Sequence, residues 1–398
     1  MRNLILPLFI FSFFCTRYEV KKYYVKPKRS IKEPLLRVLL FEGKNPIYVG
    51  GTNIFYAVDA KGKRFKFFAS NIIKIKREGD DTEVYMDGKR VNLSLPLLFY
   101  PEKGYIKIQG ERFRGEIEID PFLRVINVVK IEDYLRSVVS LEIGSPFLSN
   151  FEALKAQAVC ARTYALRKYF ERRGDFFHLY SDVKDQVYGG RDKENEITDL
   201  AVKMTKGEVL LYKNELALTL FHSTCGGETA SFDEAFYEKK YIPYLKSIRC
   251  NFHGKGLCRE SPYYRWERKF SIYEFKEILS KNISNLIGIS LTPRDIIDFR
   301  ISERGESGRV KKIDVKTSKG NFSFKGFDIR KVLGKEKTLP SNFFFFKKMG
   351  ERVIILGRGF GHGAGLCQYG ALALAKKGMN YEYILKFYYP GTRIKKIY

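Results

Sequence analysis

One acidic residue, Glu142, stands directly before Ile143-Gly144-Ser145-Pro146, a stretch through which a helix does not continue. Ile131, Tyr134, Leu135, Val138 and Val139 precede it at helical spacing, so Glu142 falls on the last turn of a helix. The negative end of the helix dipole disfavours ionisation there and helps keep the carboxyl protonated, as a general acid requires. A carboxyl held in this way suits acid catalysis on a sugar bond. The plain alternative is a solvated carboxylate at a helix end.

The next helix supplies two cations. Ser149 and Glu152 have the spacing of a capping box, and Phe151, Leu154, Ala158, Ala161, Ala165 and Tyr169 form an apolar stripe that runs to Gly174. Lys155 and Arg162 lie within about 20° of one another on the flank of that stripe. They either snorkel from a helix edge or hold sugar hydroxyls, or the acid itself, in the seam. No second acidic residue is comparably marked. Asp182, Asp185 and Asp233 are the nearest candidates, and loop aspartates usually serve turns.

Sulfur and imidazole gather elsewhere. His222-Ser-Thr-Cys225, Cys250-Asn-Phe-His253 and Cys258 place soft and borderline ligands close together, with two-residue gaps typical of zinc sites. Two readings stay open. One is a zinc ion on Cys225, Cys250, Cys258 and a histidine, His222 being the first choice. The other is a Cys250–Cys258 disulfide with Cys225 free. Cys160, on the long helix, and Cys367, in a glycine-rich loop, read as inert packed thiols.

That loop carries glycines at 357, 359, 361, 363 and 365. It mimics a dinucleotide-binding pattern, but too little chain follows for the rest of such a fold. Glycines at this density let backbone approach a glycan closely, with His362 and Gln368 as hydrogen-bonding candidates. For His362 the alternative is a ring that merely bridges the loop.

These residues need a scaffold, and the pattern is α+β. Short strands such as Leu36–Leu40, Glu83–Met86, Tyr105–Gln109 and Glu116–Ile119 alternate with glycine turns and give a β-rich N-terminal part. A mixed α/β catalytic domain follows, with an inserted α+β segment. The expected division is a leader over 1–24, a β-rich accessory domain over 25–109, a catalytic domain over 110–264 and 351–398, and an insertion over 265–350. Arg2 and the apolar run Leu4 to Cys15 fit an export signal, being too short for a membrane span of ~20 residues. Cys15 closes the run where a lipid anchor would sit, although Phe13 and Phe14 are bulky for that cleavage pattern. The net charge of +27 favours a polyanionic partner such as an anionic cell wall. The basic residues are spread along the chain without a nucleic-acid module, which argues against nucleic acid.

The order of motifs resembles the stage II sporulation protein D family. The likeness rests on Tyr134–Glu142, Glu152–Ala165, Ser181–Gly190, Phe221–Ala230, Tyr241–Leu245, Gly357–Ala371 and Phe387–Thr392. It implies an exported lytic transglycosylase acting on peptidoglycan glycan strands, or a non-catalytic wall-binding relative that stimulates an amidase. It places the catalytic acid at Glu142, basic support at Lys155 and Arg162, and substrate contacts at Gln186 and Tyr188 of the Ser181–Gly190 motif. It also strengthens the zinc reading. In a lytic transglycosylase the sugar's own C6 hydroxyl attacks the anomeric carbon, so one carboxyl suffices where other glycosidases need two.

Overall fold

The computed structural model describes residues 32–79, 81–144, 148–238 and 240–398. The expected leader and Cys15 lie outside these residues. No helix among those described is long and apolar enough to cross a membrane.

Period-two burial builds the first half. Ile47, Val49, Ile73 and Ile75 turn inward, while Tyr48 and Lys74 between them face out. Their strands belong to a six-stranded antiparallel sheet running Glu111–Phe113, Ile106–Ile108, Ile47–Gly51, Ile73–Glu78, Asp81–Met86, Lys89–Val91. A seven-stranded sheet runs Leu179–Tyr180, Leu35–Phe41, Val125–Lys130, Glu116–Ile119, Leu97–Pro101, Phe55–Val58, Arg64–Phe67. The inner faces of both sheets and the helices that follow share one hydrophobic core, reaching from Leu36 to Ile397. The class is α+β, as the sequence pattern indicates.

The helices are α1 (Ile131–Ile143), α2 (Phe151–Glu171), α3 (Glu196–Met204), α4 (Phe232–Phe236), α5 (Ile272–Ile287), α6 (Phe327–Val332), α7 (Lys335–Thr338), α8 (Gln368–Lys376) and α9 (Tyr381–Tyr388). Helix α1 continues directly from a sheet strand and ends at Gly144, whose φ of 61° and ψ of 12° form a left-handed cap. Helix α2 is buried almost all round between Ala153 and Leu166, packed by α1, α3, α8 and α9. Its many alanines let those neighbours approach closely, with Gln157, Arg162 and Thr163 the polar residues enclosed among them.

The expected capping box of α2 does not form. Asn150 is the N-cap, and the Glu152 carboxylate instead pairs with Lys155 and accepts the Tyr381 amide at the start of α9. A box of the same type does close α5, between Ser271 and Glu274. That helix and two three-stranded sheets surround a second core, containing Trp266, Phe275, Leu279, Val315, Phe344 and Ile355.

Candidate active site and cysteine cluster

Glu142 occupies the last turn of α1, beneath the loop 181–190. One carboxylate oxygen accepts the Val187 amide at 2.8 Å. Burial pushes the carboxyl up to about 7, and the Val187 hydrogen bond opposes that rise without cancelling it. Near neutrality such a group both gives and takes a proton, which a general acid and base must do.

The loop over Glu142 is held from three sides. The Asp185 carboxylate, almost fully enclosed, accepts from Tyr164 Oη at 2.8 Å, from Arg172 at 2.7 Å and from the Tyr180 amide at 2.9 Å. The Tyr188 hydroxyl donates to Asn127 Oδ1 at 2.7 Å, and the Gly189 amide donates to Ser137 Oγ at 3.0 Å. At Gly190, with φ of 71°, a Cβ would collide with the Arg112 carbonyl and the Phe113 ring. These ties fix the Val187 amide and hence the carboxyl. They also settle the nearby acids: Asp185 is committed to structure, and Asp182 accepts the Lys184 amide in an exposed turn.

Other residues singled out in the sequence are mostly enclosed by the fold. Arg162 has no exposed surface. Its guanidinium grips Glu132 with two bonds of 2.8 Å and donates to the carbonyls of Val202 and Glu208. So enclosed, Arg162 presents no surface to a ligand in this structure, and it ties α2 to α1 and to the backbone at Val202 and Glu208. Lys155 stays partly accessible, but its ammonium is 2.5 Å from Glu152 and lies over the Tyr381 ring at 4.7 Å. Gln186 is buried between the Tyr134 hydroxyl and the Ala161 carbonyl, and Tyr188 packs against Tyr134. Gln368 is buried at the start of α8. His362 donates Nε2–H to the Phe221 carbonyl at 2.8 Å and accepts the Ala364 amide at Nδ1. Both ring nitrogens are thus used inside the loop, and burial holds the imidazole down at about 4. His362 bridges the loop.

The supporting partners Glu132, Asn127 and Ser137 escape sequence reasoning because each meets the site across a long separation, 30, 61 and 52 positions respectively. The one local signal is polarity in an apolar setting, such as Asn127 within Val-Ile-Asn-Val-Val.

The sulfur ligands converge differently from the sequence expectation. Cys225, Cys250, Cys258 and Cys367 are all buried, with their Sγ atoms within 4.8 Å of one another. All five described cysteines are free thiols, so no Cys250–Cys258 disulfide forms. The strand Phe221–His222 runs parallel to Leu366–Cys367, which carries Cys367 to Cys225. Cys367 is therefore a member of the cluster, not an isolated packed thiol. His222 is not among the four clustered ligands; its Nδ1–H goes to the Ala364 carbonyl at 3.1 Å, and its buried Nε2 has no hydrogen-bond partner among the described residues. Cys160 stays apart, beside the Tyr389 hydroxyl.

Comparison with known proteins adds the family. The stage II sporulation protein family model matches residues 121–212, and a family described only as a domain of unknown function matches residues 253–365. Stage II sporulation protein D of Bacillus subtilis is 31% identical over 284 residues, covering 67% of this chain and 75% of that protein. An uncharacterized protein of Brachyspira hyodysenteriae is 32% identical over 305 residues, covering 75% of this chain and 76% of its own length. The chain belongs to the stage II sporulation protein D family. This is a family of cell-wall remodelling proteins. The amidase enhancer of Bacillus subtilis is also similar, at 29% identity over 296 residues, with 65% of this chain and 40% of that protein covered. The sporulation protein match spans α1, α2 and the loop over Glu142, the elements that build the acid site. The second match spans the segment with its own core, together with Cys258 and most of the glycine-rich loop.

Proposed function

We propose that this member of the stage II sporulation protein D family is an exported peptidoglycan lytic transglycosylase, with Glu142 as its acid and base. The observation that carries the reading is a half-buried carboxyl at about 7, anchored by the Val187 amide, with the nearby Asp185 locked in its own ion pair. Protonated Glu142 gives its proton to the glycosidic oxygen as the C1–O bond breaks. The substrate's C6 hydroxyl closes on C1, and its proton passes to the Glu142 carboxylate. No water is consumed, the carboxyl is restored, and the product ends in a 1,6-anhydro sugar.

The four cysteines fit a structural zinc ion. A tetrahedral site with zinc–sulfur bonds of about 2.3 Å holds its sulfurs roughly 3.8 Å apart. Cys225 and Cys258 lie 3.5 Å apart, inside a cluster already close to that size. Cys225, Cys250, Cys258 and Cys367 would hold the ion, and it would fasten the scaffold without touching the reacting bond.

The deciding experiment digests purified glycan strands with wild type and Glu142→Gln. Anhydro ends should appear with wild type and fall at least about a hundredfold in the variant, the usual scale for a lost general acid. Undiminished anhydro ends from Glu142→Gln would remove Glu142 from the mechanism. No product from wild type would favour the second reading, a wall-binding protein that stimulates an amidase. That reading draws on the likeness to the amidase enhancer and on the enclosure of Arg162, Gln186 and Tyr188.

A further inference from the structure

Most arginines of the acid-site half carry a carboxylate partner: Arg37 with Glu118, Arg114 with Glu194, Arg124 with Asp120, Arg172 with Asp185. Three arginines around the glycine-rich loop break that pattern. Arg265 precedes the strand Trp266–Ser271, Arg304 ends the strand Ile296–Arg304, and Arg358 follows the strand Arg352–Gly357. Among the described residues none of the three pairs with a carboxylate. Arg265 donates to the carbonyls of Gly226 and Tyr264, and Arg304 donates to the Gly308 carbonyl.

The three sit close together. Arg358 packs on Gly226, where a Cβ would meet Arg358 Cβ at 2.6 Å, and Arg265 binds the carbonyl of that same glycine. Arg304 and Arg358 both lie over the Phe345 ring, at 4.6 and 5.8 Å. Burial and the neighbouring charge of Arg265 each lower Arg358 from its ordinary value, which places the two cations within mutual reach. Crowding guanidinium groups on an aromatic face without a counter-ion is unfavourable unless an anion joins them. Beside them Phe345 and Leu356 face each other across two strands, and both are nearly half exposed.

We propose that Arg265, Arg304 and Arg358, with the Phe345–Leu356 step, form a subsite for a carboxylated sugar of the wall glycan. A guanidinium fork matches a carboxylate with two parallel hydrogen bonds. The apolar step matches the carbon face of a pyranose ring. A ligand that joins an anion to an apolar ring face uses both halves of the surface, whereas a phosphate-rich chain uses only the charge. The subsite lies on the segment matched by the domain of unknown function, apart from α1 and its acid. It rests on the glycan reading given above.

The test uses the full chain carrying Glu142→Gln, so that substrate is bound and not consumed. Two probes are compared by calorimetry: peptide-free glycan fragments with free carboxylates, and the same fragments with their carboxyls converted to methylamides. The carboxylate form should bind about tenfold more tightly, a step one charge-assisted pair readily supplies. Arg304→Gln with Arg358→Gln should abolish that preference and leave the affinity for the amidated fragment unchanged. Arg304 is exposed, so the single Arg304→Gln variant serves if the double variant does not fold, and it should lose part of the preference. Equal affinity for the two fragments overturns the subsite, and so does an undiminished preference in the variants. Anhydro-end release by wild type is scored on the same fragments. Cleavage without preference sinks the subsite alone, and preference without cleavage sinks the lytic reading alone.

Discussion

At the scale of residues the question is what a carboxyl near neutrality does to the protein that holds it. The Glu142 carboxyl is raised from the ordinary carboxylate range to about 7 by burial. Between those values the folded chain keeps a proton that the unfolded chain releases, so folding loses stability as pH rises through the window. The loss is complete above the folded value and absent below the unfolded one. Glu142→Gln stays neutral throughout and can still accept the Val187 amide. It should therefore be more stable than wild type at pH 8 by about 2 kcal/mol, a figure reduced for partial exposure, and converge with it near pH 4. Urea unfolding at the two pH values checks this; equal stability at pH 8 would mean the carboxyl is not raised. Catalysis should decline as pH rises through about 7, since the acid must enter protonated. Glu142 itself is legible in the sequence, because a helix stop marks it. Arg162 is not. Its position on the helix flank is visible, but its partner Glu132 lies 30 residues earlier, and only tertiary packing brings them together.

At the scale of elements, the loop 181–190 and the end of α1 act as one unit. The loop presents the Val187 amide only while Asp185, Tyr188 and Gly189 are tied down. Asp185→Asn keeps the shape but removes the charge that faces Arg172 in an enclosed setting. Breaking such a pair by removing one partner should cost about 3 kcal/mol. The released loop should also lower kcat more than it raises KM, because the acid is misplaced while most glycan contacts persist. Unfolding and steady-state turnover test both parts, and a variant with wild-type kcat would separate the loop from the acid. Periodicity made these elements readable: α1 ends at the foreseen glycine, and the strand foreseen over 116–119 is present as Glu116–Ile119. Where competing partners exist, sequence rules lose force. Glu152 had the right spacing for a cap, yet Lys155 and the Tyr381 amide claim its carboxylate. Helix α5, capped at Ser271, runs to Ile287 because Ile283 continues its buried stripe and Gly288 supplies the stop.

At the scale of the whole molecule, the cysteine cluster joins segments that the chain separates widely. Cys225 and Cys367 are 142 positions apart, and α8 starts immediately after Cys367. Cys250 also contacts the Tyr388 hydroxyl at the end of α9. Such a ligand set was only half legible, since the close pairs announced sulfur chemistry but only strand pairing brings Cys367 to Cys225, in place of the expected histidine. If zinc fills the cluster, its removal should loosen the C-terminal helices and the long loop together, because binding energy at a structural site is folding energy. Purified protein should carry about one zinc per chain, and chelation should lower the thermal midpoint and free four thiols for titration. Cys367→Ser should lose most of the metal. Cys160→Ser and His222→Ala should keep it, since neither side chain belongs to the four-sulfur set. Retention of a full zinc equivalent by Cys367→Ser together with its loss from His222→Ala would restore histidine as the fourth ligand. A chain with no metal and two fewer titratable thiols would instead establish a disulfide.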